Sequence, residues 1–309
     1  MSAGDGTRPP GGNRRPSPAG TLVLLVLAVS AGCARRGPPE LTGLPGEVAV
    51  DGPREVTLRY QPAAGTRVVC PAYVETVVSA TGPDRPVQQT LGGEREDVEF
   101  IEAEDGSKRT VVRRYGETRW TTSYPLPAPE TRDLPPTESR VTIGPSGRVE
   151  TGTVDSSISV AMAAWIRQFD GVPGWPETPL RRGDAVPRPL RGPGPPGTGS
   201  TLEAAAPLTL VGFAQLNGRR CAKFRSDVSG FLLFAPPGTK GGGEPAKSLL
   251  RGSGWLYFDL ETGLLLGSTH ALHYALPLPG TRQPGAVPEF RATFRDGPCT
   301  LTTTHGRPH

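Results

Sequence analysis

WLYFDLETGLLLGSTHALHYAL, residues 255–276, reads as two strands folded back on each other. Leu256, Phe258 and Leu260 share one face of the first run, and Leu264, Leu266, Leu272 and Tyr274 share one face of the second. A period of two belongs to strands with one buried side. Glu261-Thr262-Gly263 lies between the runs as a turn, and Gly263 is the residue there best able to take φ > 0. The same period puts His270 on the buried side with Tyr274 and turns His273 the other way. A neutral imidazole among Leu and Tyr needs a hydrogen-bond partner, and a charged one would be costly. His270 and Tyr274 are therefore candidates to face a ligand.

The pattern extends in both directions. Residues 208–216 and 219–225 bracket Asn217-Gly218, the favoured two-residue hairpin turn, and 230–235 and 290–295 are further strands. Upstream, strands are expected at 56–60, 67–80, 87–91, 98–103 and 108–115, with Pro71 demoting part of 67–80 to an edge or a bulge. Residues 141–143 and 148–150 flank Gly144-Pro145-Ser146-Gly147 as another hairpin. One helix is expected: Ile158, Met162, Trp165, Ile166 and Phe169 form a single apolar stripe, capped by Asp155 or Ser156 and closed by Gly171. Trp165 belongs to that stripe as a core residue, with ligand contact as the alternative.

These elements predict a mainly β fold: long curved antiparallel strands, as a half-barrel or two sheets, with one central helix packed on the sheet. Residues 47–170 form an N-terminal meander ending in the helix, and 204–299 a C-terminal antiparallel region. Between them, 171–203 reads as a solvated linker, because residues 171–200 hold eight Pro and seven Gly. Residues 300–309 read as a polar tail.

The N-terminus bears on the compartment. Arg8, Arg14 and Arg15 precede the apolar run 21–29, TLVLLVLAV, and Ser30-Ala31-Gly32-Cys33 follows it. A basic stretch, a short apolar segment and small residues compose an export signal. The run is well short of the roughly 20 residues of a membrane-spanning helix. The small residues before Cys33 resemble the processing site of bacterial lipoproteins, with Ser30 where that site usually has Leu. The resemblance implies a signal peptide over 1–32, acyl chains on Cys33 and a flexible tether over 33–46. It also implies attachment to the cell envelope, at the outer membrane if the host has one.

A formal charge of +4 on 309 residues argues against a nucleic-acid surface. Beyond Cys33 the cysteines are Cys70, Cys221 and Cys299, an odd number, so at least one thiol stays unpaired. Three single pairings are open. Cys221–Cys299 would staple the tail, and three free structural thiols is the simpler expectation. Cys221 shares a strand side with Arg219, Lys223 and Arg225, which suggests a wet face.

No catalytic, cofactor or metal constellation emerges. His270 and His273 face opposite ways, and His305 and His309 sit in the tail. Residues 238–243 are Gly-rich, but Glu244, Pro245 and Ala246 separate them from Lys247, unlike a phosphate loop. Asp97, Glu99, Glu102 and Glu104 offer carboxylates for glycosidic chemistry with nothing to single out a pair.

Gly218-Arg219-Arg220 after a turn, and the self-pairing segment 256–263, resemble a group of bacterial β-rich lipoproteins with no assigned activity. The helix followed by a Pro-rich passage matches that pattern, whereas Gly183-Asp184-Ala185 departs from it, since relatives carry Trp after Gly-Asp. The expected function is a non-enzymatic envelope lipoprotein that binds an apolar ligand or an envelope component on its curved sheet. The alternatives are an assembly lipoprotein with a protein partner and a hydrolase or sugar-processing enzyme. The expected partners are the membrane, through the lipid, and a hydrophobic ligand or envelope protein.

Overall fold

Alternation of side chains builds nearly everything that follows. The computed structural model describes residues 41–81, 86–122, 137–153, 165, 168–169, 171–172, 174–195, 198–234, 246–275 and 289–303. The leader, Cys33, most of the expected helix and the tail beyond 303 lie outside the described residues.

The strands are β1 (Val48–Val50), β2 (Glu55–Val56), β3 (Thr66–Thr81), β4 (Pro86–Asp105), β5 (Lys108–Tyr115), β6 (Arg119–Thr122), β7 (Thr137–Ile143), β8 (Val149–Thr153) and β9 (Leu180–Arg181). They continue with β10 (Ala185–Val186), β11 (Pro189–Pro193), β12 (Ser200–Ala205), β13 (Leu208–Leu216), β14 (Arg219–Phe234), β15 (Ala246–Asp259), β16 (Leu265–Ala275), β17 (Glu289–Asp296) and β18 (Thr300–Thr303). Sixteen of them join one curved, open antiparallel sheet whose main path is β1-β13-β14-β15-β16-β17-β3-β4-β5-β7-β8. β2 and β9 pair separately. The N-terminal meander and the C-terminal region are thus two parts of one sheet, joined where β17 pairs with β3.

The expected turns form. Asn217 and Gly218 have φ of 46° and 79° between the paired Leu216 and Arg219, as a two-residue hairpin of this sequence requires. At the 255–276 hairpin, Asp259 accepts from the Thr262 backbone N–H at 2.9 Å and from its hydroxyl at 2.6 Å. Gly263 there has φ of 70°, and a Cβ on it would lie 2.1 Å from the Arg59 carbonyl oxygen. Leu256, Phe258, Leu264, Leu266, Leu272 and Tyr274 are all buried and Leu260 partly so, but the expected common face is corrected: a register shift beside Tyr257 and Phe258 turns Leu264 and Leu266 to the Tyr257 side, away from Leu272 and Tyr274.

Several expectations are corrected. Residues 87–91 and 98–103 belong to one continuous strand, β4. Only Val56 of the 56–60 stretch joins a ladder, opposite Leu180; Leu58 and Tyr60 are buried without strand pairing, and the Tyr60 N–H bonds the Pro145 carbonyl at 2.9 Å. Pro71 is not on an edge. It sits where β17 stops and β18 begins along β3, and its carbonyl accepts from the Gly297 N–H at 2.8 Å. N–H and C=O of one strand residue point the same way, so the missing proline donor falls at that break in pairing.

The 171–203 stretch is not a solvated linker. It supplies β9, β10, β11 and the start of β12, and it buries Trp175, Leu180, Val186, Leu190 and Leu202. Its breakers occupy positions that tolerate them. Gly183 and Gly199 have φ of 95° and 61°, and Pro189 and Pro193 lie on β11, which among the described residues pairs with β12 alone. The tail correction is similar, because residues 300–303 form β18 along β3.

That pairing decides the cysteines. Cys70 and Cys299 form a disulfide across 229 residues of chain, which contradicts both three free thiols and a Cys221–Cys299 bridge. Cys221 is free and fully buried, not wet. Residues 41–46, expected to belong to the flexible tether, instead lie against its side of the sheet, where Leu44 packs in one cluster with Cys221 and Tyr257.

Candidate functional site

One side of the sheet carries two unlike regions. In the first, Trp165 and Phe169, both helical, sit on Leu232, Leu250, Leu272, Tyr274 and Phe294. Trp165 meets Phe169 edge-on at 5.0 Å and Tyr274 at 6.4 Å, and Phe169 stacks on Phe294 at 6.4 Å. His270 is fully buried with its ring 5.9 Å from that of Phe169. Gly254 makes room for it: a Cβ there would stand 2.1 Å from His270 Nδ1. The three residues singled out from sequence, Trp165, His270 and Tyr274, are thus brought together around Phe169. They form packed floor, with no open surface. Burial raises the Tyr274 hydroxyl above the usual tyrosine range.

His273 faces out with 42% of its side chain exposed, and its Nε2 lies 3.5 Å from Glu289. Among the described residues no three His, Cys, Asp or Glu side chains gather to hold a metal ion.

The second region is hollow. A cavity of about 680 Å³ lies beside the filled floor, bounded by Glu99, Arg113 and Ile143 on one side and by Arg188, Leu190 and Leu265 on the other. Its apolar walls include Ile143, Leu190, Leu264 and Leu265. Its polar groups are Arg113, 2.8 Å from Glu99, together with Arg148, Arg188, Gln168 and Asp296. Val149, 53% exposed, also borders it.

Arg188 is the residue that sequence reasoning missed. It is buried and donates to the carbonyls of Phe169, Gly171 at 3.2 Å and Ala206 at 3.0 Å, and to the Ser226 hydroxyl at 2.8 Å. One guanidinium therefore ties the helical residues to β14 and walls off the cavity. Multiple donors in a fixed fork suit arginine to this task and lysine would not match it. The available signal was the alternation Val186, Arg188, Leu190, each separated by a residue that stays exposed.

The carboxylates considered for glycosidic chemistry are neutralised one by one. Asp97 pairs with Arg95, Glu99 with Arg113, Glu102 with Arg140 and Glu104 with Arg109, at 2.7–2.8 Å.

No family model matches this chain, and no curated protein matches it. Among solved structures, the chain is similar to lipovitellin, described for its lipid–protein interactions, at 10% identity over 80% of this chain with a TM-score of 0.43. The chain spans about a quarter of lipovitellin, 26% of its length. An outer membrane channel from Pseudomonas putida F1 matches at 10% identity, over 79% of this chain and 98% of that one, with a TM-score of 0.23. A LolA superfamily protein from Nitrosomonas europaea matches at 10% identity, over 77% and 87% of the two chains, with a TM-score of 0.14.

Proposed function

We propose that this chain is an exported envelope lipoprotein, held by acyl chains on Cys33, that carries an apolar or amphiphilic ligand in the hollow of its sheet without catalysing a reaction. The cavity of about 680 Å³ is the observation that carries the reading. That volume falls within the range of small-molecule sites, roughly 300–1,000 Å³. Leu190, Leu264 and Leu265 offer it apolar wall, while Arg113, Arg148 and Glu99 offer polar groups that could orient a head group. The Cys70–Cys299 disulfide supports export, because such bonds persist in oxidising compartments.

Native mass spectrometry of the acylated protein, followed by lipid extraction, tests this. The expected result is a non-covalent adduct released on unfolding. Val149→Trp, which introduces a large ring at the cavity's border, should reduce the adduct while the fold stays intact. A protein with no adduct, binding no added fatty acid or lysolipid, would remove the carrier reading. Labelling with a fatty-acid probe tests the anchor separately: Cys33→Ser should abolish it.

A further inference from the structure

The outer face of the sheet is polar or covered at most positions, but not at one end of β14 and β15. Arg225, Asp227 and Ser229 stand exposed along β14, with Arg225 and Asp227 paired at 3.0 Å. Further along, Phe231 in β14 and Leu249 in β15 are direct cross-strand partners, and they remain 43% and 45% exposed. Leu233, half-buried, follows on the same strand face.

Cations border this apolar pair. Lys247 and Arg251 flank Leu249 along β15, and both are exposed. Arg251 is the register partner of His273, which is the register partner of exposed Arg291, so three basic side chains form a row beside the pair. The acids nearby are Glu203, 3.9 Å from Arg191, and Glu289, 3.5 Å from His273.

The described chain begins on the same face. Trp255, six residues along β15 from Leu249 and on the same side, donates its indole N–H to the Leu41 carbonyl at 3.3 Å. At about 3.3 Å per residue these two points are roughly 20 Å apart. The eight residues from Cys33 to Leu41 span at most about 28 Å. An anchor on Cys33 therefore has the length to bring this end of the sheet to the bilayer.

We infer that the Phe231–Leu249 patch is a membrane-contact surface, which places its apolar pair in the headgroup region of an anionic bilayer and Lys247, Arg251 and Arg291 against phosphates. Apolar burial and basic residues near a charged leaflet act together in such contacts, and each is weak alone. The inference rests on the anchored reading above and adds an orientation to it.

The test uses the acylated full-length protein in vesicles of phosphatidylglycerol and phosphatidylcholine, with an environment-sensitive fluorophore on Leu249→Cys. Cys221 is buried and Cys70 and Cys299 are bonded, so among the described cysteines only the introduced thiol takes the label. Its emission should shift to the blue and be quenched by a lipid-borne quencher, while the same label on Asp227→Cys stays aqueous. Arg251→Glu with Arg291→Glu, or vesicles of phosphatidylcholine alone, should cut the quenching several-fold. If the protein floats with vesicles but the label at 249 stays aqueous, the anchor stands and the surface assignment falls. If it neither floats nor shifts, both fall. Shielding of the label only when envelope proteins are added would give the patch to a protein partner and overturn the membrane assignment.

Discussion

The filled floor and the hollow beside it are built on the same sheet and end in opposite states. Under Trp165 and Phe169 the strands present Leu232, Leu250, Leu272 and Phe294, and rings fill the space. A few residues away the walls present Glu99, Arg113, Arg148 and Arg188, and the space stays open. Close packing forbids voids among apolar side chains, but a void lined partly by charge resists collapse, because closing it would desolvate those groups. The filled region supplies stability, and the open one leaves room for function.

The largest effect should come from emptying the filled region. Phe169→Ala and Trp165→Ala should each lower stability by about 3–5 kcal/mol, the range for a buried large aromatic, as read by urea unfolding. A loss below 1 kcal/mol would mean the floor is not packed as described. Removing the disulfide with Cys70→Ser should cost about 2–5 kcal/mol, since it closes a long loop; urea midpoints with and without reductant check this.

Arg188→Met attacks the boundary between the two regions. It leaves the Ser226 hydroxyl and three carbonyls without their donor. A loss of about 3 kcal/mol is expected from such buried unsatisfied groups, together with a change in ligand occupancy. Unaltered occupancy would separate Arg188 from the hollow.

The face behind both regions gives a pH test. Burial, with some help from the Asp259 carboxylate, pushes the Cys221 thiol up to about 12. An unfolded thiol ionises near about 8.5. The folded state therefore holds its proton longer, and this contribution to stability is complete below about pH 8.5 and is lost as pH rises toward 12. Tyr257 and Tyr274, both raised by burial, act in the same direction. Unfolding midpoints should fall over that window, less steeply in Cys221→Ala; an identical slope in the variant would remove the thiol's role. The smallest effect on stability belongs to Val149→Trp, within about 0.5 kcal/mol because the position is exposed, although ligand occupancy should drop.

The sequence made the paired strands legible wherever partners are neighbours in the chain. Asn217-Gly218 and the alternation through Leu256, Phe258, Leu272 and Tyr274 carry their own register. What it could not show was contact at a distance. Cys221 looks wet until Leu44, from far upstream, is laid over it, and Cys70 has no reason to choose Cys299 until β18 is placed beside β3. Trp175, Leu180 and Leu190 were hidden among breakers because Pro and Gly report local backbone freedom, not burial. The candidate site was half legible: period two put His270 and Tyr274 inside and the helical stripe put Trp165 there, but nothing local said that Phe169 would close over them and leave the opening beside Arg188.

The junction of β17 with β3 also sets a clock. β3 is complete once Thr81 has emerged from the ribosome, yet its partner ends at Asp296. At about 5–20 residues per second of synthesis, the intervening length corresponds to roughly 10–40 s. Through that interval a 16-residue strand has no native neighbour on one side, and such an edge is a template for pairing with another chain. The protein cannot finish its sheet as it is made: its centre is sealed by a segment that arrives long after β3, so any chain cut short before residue 289 keeps that edge permanently open.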